Sequence, residues 1–189
     1  RTGYRFIQPL MSKWLKKTLS SQKNIGLVWV DGGALLGRNS VKILKGLRVP
    51  LVLYNIDDPT GNRDGARFAM VRRALPLYDV AVAVRDNSEK EFATYGNIKV
   101  LRVWRSYDEV YHNPMLAMQP IPLAFLSEVC FIGTWMRNES RDEFLLKLID
   151  RGLDVAIWGS HWQKSKHWYK LERYWRGKFI VGADYVMAI

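Results

Sequence analysis

Residues 129–164 read VCFIGTWMRNESRDEFLLKLIDRGLDVAIWGSHWQK, and this stretch decides the fold. The apolar run Val129–Ile132 stops at Gly133, which predicts a short buried strand followed by a turn. Ser140 and Glu143 form the S-x-x-E pattern of a capping box, so a helix is expected to begin directly after the serine.

The second half of the stretch predicts a helix followed by another strand. Leu145, Leu148 and Ile149 recur at helical spacing, and Gly152 is a suitable residue to end the helix. Asp154–Trp158 is again an apolar run that ends at a glycine. Two buried strands joined by one helix predict a parallel βαβ unit, whose ligands are expected at the carboxyl ends of the strands.

The same alternation of strands and helices extends towards the N-terminus. Four strands are predicted at Ile25–Val30, Pro50–Ile56, Asp79–Val84 and Lys99–Trp104, and helices at Phe6–Leu19, Ser40–Leu47, Asp64–Leu75 and Ser88–Tyr95. Such alternation predicts an α/β fold with a mostly parallel, doubly wound sheet for residues 25–104.

A proline-rich segment separates the two α/β patterns. Pro114, Pro120 and Pro122 interrupt any regular pattern, which predicts a crossover between two domains. The expected organisation is an N-terminal domain with the crossover at 1–120 and the start of a second domain at 121–189. Both ends look cut, so the chain is interpreted as a fragment of a longer protein.

Composition favours a globular protein in a reducing compartment. Hydrophobic residues make up 48% of the 189 residues, and no apolar run approaches the about 20 residues that span a bilayer. No signal peptide is apparent. The single cysteine, Cys130, forms no intramolecular disulfide and is interpreted as a small core residue, so a cytoplasmic location is predicted.

The net charge of +11 favours an acidic partner. A phosphorylated small molecule, nucleic acid and an anionic membrane surface all fit this charge. The helix predicted at Phe6–Leu19 carries several lysines and has the character of a basic interfacial helix. Most basic residues are equally well explained as solvated helix faces.

Acidic residues follow two of the N-terminal strands. Asp57 and Asp58 come directly after one strand, and Asp31 ends the preceding one. A carboxylate at such a position is suited to accept a proton from a bound hydroxyl group or to hold a sugar. The alternative is ordinary turn chemistry, since Asp-Asp-Pro-Thr-Gly is a typical turn sequence.

Small, basic and aromatic residues follow the C-terminal strands, a pattern that suits a ligand with a flat ring and negative charge. The candidate ligand-binding residues are Gly133, Thr134, Arg137, Arg141, Gly159, His161 and Trp162. The glycines permit close approach of a ligand to the backbone, and the arginines are candidates for phosphate contact. The alternatives are surface ion pairs for both arginines and a core position for Trp162.

Several motifs together resemble one family. They are FIGTW, R-x-x-S-R-D-E, L-x-x-L-x-x-x-G and WG-x-x-W in the C-terminal part, and LVLYNIDDP, LYDVAVAVRD and SYDEVYHNP before it. The set resembles the CgeB-like glycosyltransferases of the GT-B fold, over nearly the whole chain.

The resemblance implies two Rossmann-like domains, an N-terminal one that binds the acceptor and a C-terminal one that binds a nucleoside diphosphate sugar. The first strand and the later donor-binding elements of the family would lie outside this sequence, so the fragment itself is expected to be inactive.

Catalytic carboxylates are predicted at Asp57, Asp58 and Asp31 from their positions at strand ends, and the resemblance adds support for Asp57 and Asp58. Arg63 and His112 are predicted to contact the acceptor. The alternative for Arg63 is an ion pair with one of these carboxylates, and the alternative for His112 is a structural, hydrogen-bonded histidine. The implied reaction is transfer of a glycosyl group to a hydroxyl acceptor, with retention favoured, and without a metal or other cofactor. The rival hypothesis is a non-catalytic basic α/β module that binds nucleic acid or an anionic membrane surface.

Overall fold

The computed structural model describes residues 3–61, 65–96, 98–117 and 119–189. The chain divides into two compact units, Arg1–Arg105 and Ser106–Ile189. Residues 106–120, which contain most of the predicted crossover, therefore belong to the second unit. The assignment of an acceptor domain to 1–120 and a donor domain to 121–189 stays a prediction.

The first unit is a four-stranded sheet with helices between the strands. Its strands are β1 (Val28–Asp31), β2 (Leu51–Asn55), β3 (Val80–Ala83) and β4 (Lys99–Arg102), and its helices are α1 (Gln8–Ser20), α2 (Arg38–Lys45), α3 (Ala69–Ala74) and α4 (Asp86–Ala93). The strands lie in the order β1-β2-β3-β4, and every neighbouring pair is parallel. The predicted parallel sheet for residues 25–104 is confirmed. The predicted doubly wound arrangement is wrong, because the strands follow chain order and residues of all four helices pack into one core cluster.

The core of the first unit lies on one face of this sheet. Alternate residues of β2 point inward, so that Leu51, Leu53 and Asn55 are buried. On the other face Trp29 and Tyr54 lie side by side, with ring centroids 5.3 Å apart, and Trp29 is largely exposed. Parallel crossovers of the same hand between consecutive strands place their helices on a single face, which explains the asymmetry.

Two of the boundaries that differ from the prediction have a clear physical reason. The first strand begins at Val28 rather than Ile25, because pairing starts only where the Val28 N–H reaches the carbonyl of Pro50. The helix predicted at Ser40–Leu47 is α2 (Arg38–Lys45), so Ser40 lies buried within the helix, hydrogen-bonded to Ser12. The cap position is held by Gly37, whose N–H donates to Oε1 of Gln8 at 2.7 Å.

The second unit contains the predicted βαβ unit and one further strand. Its elements are β5 (Val129–Ile132), α5 (Arg141–Ile149), β6 (Val155–Trp158), α6 (Trp168–Leu171), β7 (Trp175–Gly177) and α7 (Ala183–Ala188). The three strands form a parallel sheet in the order β5-β6-β7. Its core contains Leu145, Val155, Ile157, Trp162 and Leu171.

The start of α5 is predicted correctly, but the capping box is not formed. Ser140 has a left-handed φ of 47° and its side chain makes no cap hydrogen bond. The Asp142 carboxylate instead accepts from the N–H of Glu143 at 3.0 Å, and Glu143 pairs with Lys166 at 2.9 Å. Asp142 therefore accepts the N–H that Ser140 was expected to accept, whereas Glu143 makes an ion pair and no cap.

None of the described helices is both long and apolar enough to cross a membrane.

Candidate functional site

The two glycine turns of the second unit lie against each other. A Cβ atom on Gly159 would be 2.0 Å from the carbonyl oxygen of Gly133, and Gly159 has a φ of +138°. The N–H of Gly133 donates to the carbonyl of Trp158 at 2.8 Å. Gly159 is therefore explained by close packing of the loops after β5 and β6, before any ligand is considered. A Cβ atom on Gly133 would instead lie 3.0 Å from the side chain of Phe131 and 3.3 Å from that of Arg141.

Trp162 is a core residue. Its side chain is fully buried, its Nε1 donates to the Gly133 carbonyl at 2.9 Å, and it packs edge-on against Phe131. A side chain without exposed surface cannot stack on a nucleotide base, so this conformation corrects the expected ligand contact in favour of the core alternative. Its role is to hold the loop that carries Gly133.

The two candidate arginines occupy different environments. Arg141 pairs with Glu139, donates to the carbonyl of Thr134 at 2.7 Å and lies over the ring of Phe131. Arg137 is exposed, and within the described residues it has no hydrogen bond or ion pair. Arg141 therefore shapes the loop after β5, while Arg137 is the arginine available to bind a ligand.

Thr134 and His161 are also accessible at this edge of the sheet. The N–H of Trp135 donates to the carbonyl of Ser160 at 2.9 Å, which joins the loop after β5 to the loop after β6. His161 has a left-handed φ of 69° and begins a short 3-10 turn at Trp162. Thr134 and His161 therefore give the second unit an accessible polar edge at the ends of β5 and β6, and the exposed Arg137 lies further along the loop that follows β5.

A buried carboxylate supports this edge. Asp142 is only 6% exposed and accepts hydrogen bonds from Trp135 Nε1 at 3.0 Å and from the hydroxyl of Ser165. Burial raises the pKa of Asp142, but the hydrogen bonds from Ser165, Trp135 and the Glu143 N–H outweigh burial, and the pKa lies below its usual range. Asp142 thus fixes the position of the loop that holds Trp135.

In the first unit, the aspartates after β2 form a structured turn. Asp58 accepts the N–H of Gly61 at 2.9 Å and the hydroxyl of Thr60 at 3.4 Å. Asp57 lies 3.6 Å from Arg67, and its N–H donates to Oδ1 of Asn55. Asp57 and Asp58 therefore take part in the hydrogen bonds of a turn, as the alternative interpretation expects.

Asn55 is a residue that the sequence analysis missed. It is buried at the end of β2, and its amide donates to the carbonyl of Gly32 at 2.7 Å while its oxygen accepts from Asp57. It therefore ties the loop after β1 to the loop after β2. Asp31, the last residue of β1, is exposed at this edge of the sheet.

A polar pocket of about 330 Å³ lies at the carboxyl ends of β2, β3 and β4. Its lining residues are Asp58, Arg85, Asp86, Asn87 and Arg102. The guanidinium of Arg102 is occupied, because it binds Asp86 at 2.9 Å and the carbonyl of Val103 and lies over the ring of Trp104. The Nε of Arg85 is buried and has no hydrogen-bond partner among the described residues. Arg85 is the second functional candidate that the sequence analysis missed.

A larger cavity of about 870 Å³ lies elsewhere in the first unit. It is lined chiefly by residues of α2, α3 and α4, including Arg38, Arg72, Arg73 and Glu91, and by Tyr95, which follows α4. We regard the smaller pocket as the better candidate site, because ligands of parallel α/β sheets bind at the carboxyl ends of strands and not between the helices.

The structure also bears on the predictions for His112 and Cys130, whereas Arg63 cannot be described. His112 accepts the N–H of Asp108 on Nδ1 at 2.9 Å and contacts the ring of Tyr185, which matches its structural alternative. Cys130 is half-buried and is not part of the core of the second unit, so its interpretation as a core residue is wrong. Partial burial raises the pKa of its thiol, with Arg176 opposing it, so this side chain is no activated nucleophile. Arg63 lies outside the described residues. Those residues contain no group of three or more His, Cys, Asp or Glu able to hold a metal.

Comparison with known proteins supports the fold. No protein-family model matches the chain, and no curated protein matches it either. Among solved structures, it is similar to one described as the S. aureus MnaA–UDP co-structure, with a TM-score of 0.60 and 15% identity. The match covers 97% of this chain and 55% of the other, so the chain spans about half the length of that protein. The predicted fold class, α/β with GT-B-like, Rossmann-like parallel sheets, is confirmed.

Proposed function

We propose that this chain belongs to a nucleotide-sugar-dependent glycosyltransferase, similar to the CgeB-like enzymes, that moves a glycosyl group to a hydroxyl acceptor. The observation that carries the proposal is the match over 97% of the chain to a structure determined with UDP. The motifs of the sequence add to it, because they resemble a glycosyltransferase family of the same fold.

The donor is assigned to the second unit. Arg137 is an accessible cation in the loop after β5, and Thr134 and His161 are polar and exposed at the ends of β5 and β6. A guanidinium binds phosphate oxygens through charge-assisted, frequently bidentate hydrogen bonds, and it stabilises the charge that develops on a leaving diphosphate. Gly133, Gly159, Trp162 and Arg141 hold the loops in place around these residues.

The acceptor is assigned to the pocket of the first unit. Asp58, Arg85 and Asn87 offer both acceptors and donors of hydrogen bonds, which suits a ligand rich in hydroxyl groups. In the proposed reaction a carboxylate, Asp58 or Asp57, removes the proton of the acceptor hydroxyl. The oxygen then bonds to the anomeric carbon, and the bond from that carbon to the diphosphate breaks, with its electron pair leaving on the nucleoside diphosphate. No metal ion or other cofactor is part of this proposal.

Because this chain spans only 55% of the matched structure, the proposal is tested by incubating the full-length protein with UDP-, GDP- and ADP-sugars and simple polyols or sugars as acceptors. The expected product is an acceptor heavier by one glycosyl group, formed together with one nucleoside diphosphate, and both are measured by mass spectrometry. If nucleotide is released together with a free or altered sugar, and no glycosylated acceptor forms, the protein catalyses a different reaction of nucleotide sugars and the proposal is wrong.

Variants of the carboxylates test their roles. Asp57→Asn and Asp58→Asn preserve the size of each side chain and remove its charge. At position 58 the amide oxygen still accepts the hydrogen bond from the Gly61 N–H. Loss of a general base lowers turnover by about 100- to 10,000-fold, and we expect this of at least one variant while donor binding is retained. Asp150→Asn, at an exposed position, is the control. If both variants turn over like this control, the pair is a structural turn only.

The rival function is non-catalytic binding of nucleic acid. The net charge of +11 favours it, whereas no recognised nucleic-acid-binding motif does. RNA binding that survives roughly 200 mM salt, with no response to any nucleotide sugar, would favour the rival.

A further inference from the structure

Helix α1 presents bulky apolar side chains to solvent. Leu10 and Trp14 are 69% and 55% exposed, and Phe6, in the turn before the helix, is 79% exposed. The three residues are spaced by four, and at 3.6 residues per turn that spacing keeps them on one side. Large exposed apolar groups gathered on one side of a helix indicate an interaction surface.

The opposite side of α1 is attached to the rest of the first unit. Leu15 is buried in the core, and the Ser12 hydroxyl bonds that of Ser40 at 3.2 Å. The side chain of Gln8 accepts from Gly37 and donates to the carbonyl of Leu35 at 3.0 Å. The exposed apolar side chains are therefore held on a fixed helix and do not belong to a segment free to turn inward.

The same outer side of α1 is basic. Lys13 and Lys17 are exposed and lie beside Leu10 and Trp14 at the helical spacing. Residues 1–30 contain six basic residues and no acidic one, since the first carboxylate of the chain is Asp31. We call the surface formed by Phe6, Leu10, Lys13, Trp14 and Lys17 the α1 outer face.

A small cavity adjoins this helix on the side of α2. It measures about 390 Å³ and is lined by Lys16 and Lys42 together with Ser12 and Asn39 and three further residues. Two lysines with hydroxyl and amide groups, and no carboxylate, are suited to a phosphate group.

We propose that the α1 outer face docks on the surface of an anionic phospholipid bilayer. Trp14, Leu10 and Phe6 would enter the interface between headgroups and acyl chains, where a tryptophan ring is favoured. The lysines extend their ammonium groups to the lipid phosphates, while their aliphatic stems lie along the apolar residues. A nucleic acid gives the leucine and phenylalanine no apolar medium to enter, so the composition of this face favours a membrane. The inference is independent of the proposed function.

The test is co-sedimentation of the whole chain with vesicles of phosphatidylcholine, with and without phosphatidylglycerol. We expect binding to the anionic vesicles only, weakened by salt. Lys13→Gln with Lys17→Gln should weaken binding roughly 30-fold, from about 1 kcal/mol for each lysine near the surface. Leu10→Ser with Trp14→Ser should abolish it.

The matched control is Tyr169→Ser with Lys170→Gln, which removes an exposed aromatic residue and its neighbouring lysine from the second unit. This variant should bind vesicles like the unchanged chain. Equal binding by the α1 variants and this control would overturn the proposal. Circular dichroism establishes that each variant is folded.

A second experiment detects insertion of the α1 outer face directly, with a fluorescent dye attached to it. The single native cysteine is replaced by Cys130→Ser, and a Leu10→Cys variant in that background carries an environment-sensitive dye. A blue shift on addition of anionic vesicles is expected. No shift, together with a dimer on size-exclusion chromatography that Leu10→Ser with Trp14→Ser dissociates, would assign the face to a second copy of the chain. If the dye responds to an acidic peptide and does not respond to vesicles, the α1 outer face binds a protein and the membrane proposal is overturned.

Discussion

Replacing Asp142 by asparagine tests how the edge of the second sheet is held. The carboxylate accepts from Trp135 Nε1, the Ser165 hydroxyl and the Glu143 N–H. A hydrogen bond to a charged group contributes about 1.5–3 kcal/mol, and an unsatisfied buried donor costs about 1–3 kcal/mol. The amide oxygen that the substitution introduces keeps part of these bonds, so we expect Asp142→Asn to lower the free energy of unfolding by about 2 kcal/mol.

The assay is urea unfolding followed by tryptophan fluorescence. Five of the eight tryptophans lie in the second unit, so the signal reports mainly on that unit. Asp150→Asn, on the exposed end of the same helix, is the control and should stay within about 0.5 kcal/mol of the unchanged chain. If the two variants unfold at the same urea concentration, the Asp142 cluster does not hold the loop.

The pH dependence gives a second check on the same residue. The pKa of Asp142 is lowered in the folded chain, so its contribution is complete above the unfolded pKa of about 3.9 and is lost as pH falls through the lower folded value. The stability difference between the unchanged chain and Asp142→Asn should therefore shrink below about pH 4. A difference that grows on acidification would contradict this assignment.

Three further predictions concern the second unit and its loops. Arg137→Ala should weaken binding of nucleoside diphosphates in calorimetric titration, whereas Arg151→Ala, an exposed arginine after α5, should not. Gly159→Ala should cost more than about 2 kcal/mol in chemical unfolding, because its Cβ meets a backbone oxygen at 2.0 Å, while Gly26→Ala, with open space around it, should be nearly neutral. Cys130, which is half-buried, should react more slowly with a thiol reagent in the folded chain than in denaturant, since partial burial raises its pKa; equal rates would contradict this shift.

The fold could be read from the sequence because parallel strands and their connections leave strong patterns. Val155–Trp158 is buried along its whole length, so it appears as an uninterrupted apolar run. The glycines that end the strands mark the turns. The boundaries were less predictable: apolar residues continue before β1, but pairing cannot begin until β2 lies alongside.

The site was less predictable because its residues act through contacts distant in sequence. Trp162 follows a strand end like a ligand-binding residue, yet its indole donates to Gly133, 29 positions earlier. Ser140 has the spacing of a cap but a left-handed backbone, and Asp142 takes over. Arg85 was missed because its pocket is assembled from the ends of three strands. The one available signal was its position directly after the apolar run of β3.

Calorimetric titration of the full-length protein with UDP tests nucleotide-sugar binding most directly. We expect saturable binding of one UDP per protein molecule, which Arg137→Ala weakens and Arg151→Ala leaves unchanged. Long RNA is expected not to bind strongly at roughly 200 mM salt. No heat of binding with UDP, GDP or ADP, together with salt-resistant binding of RNA, would contradict the proposed function.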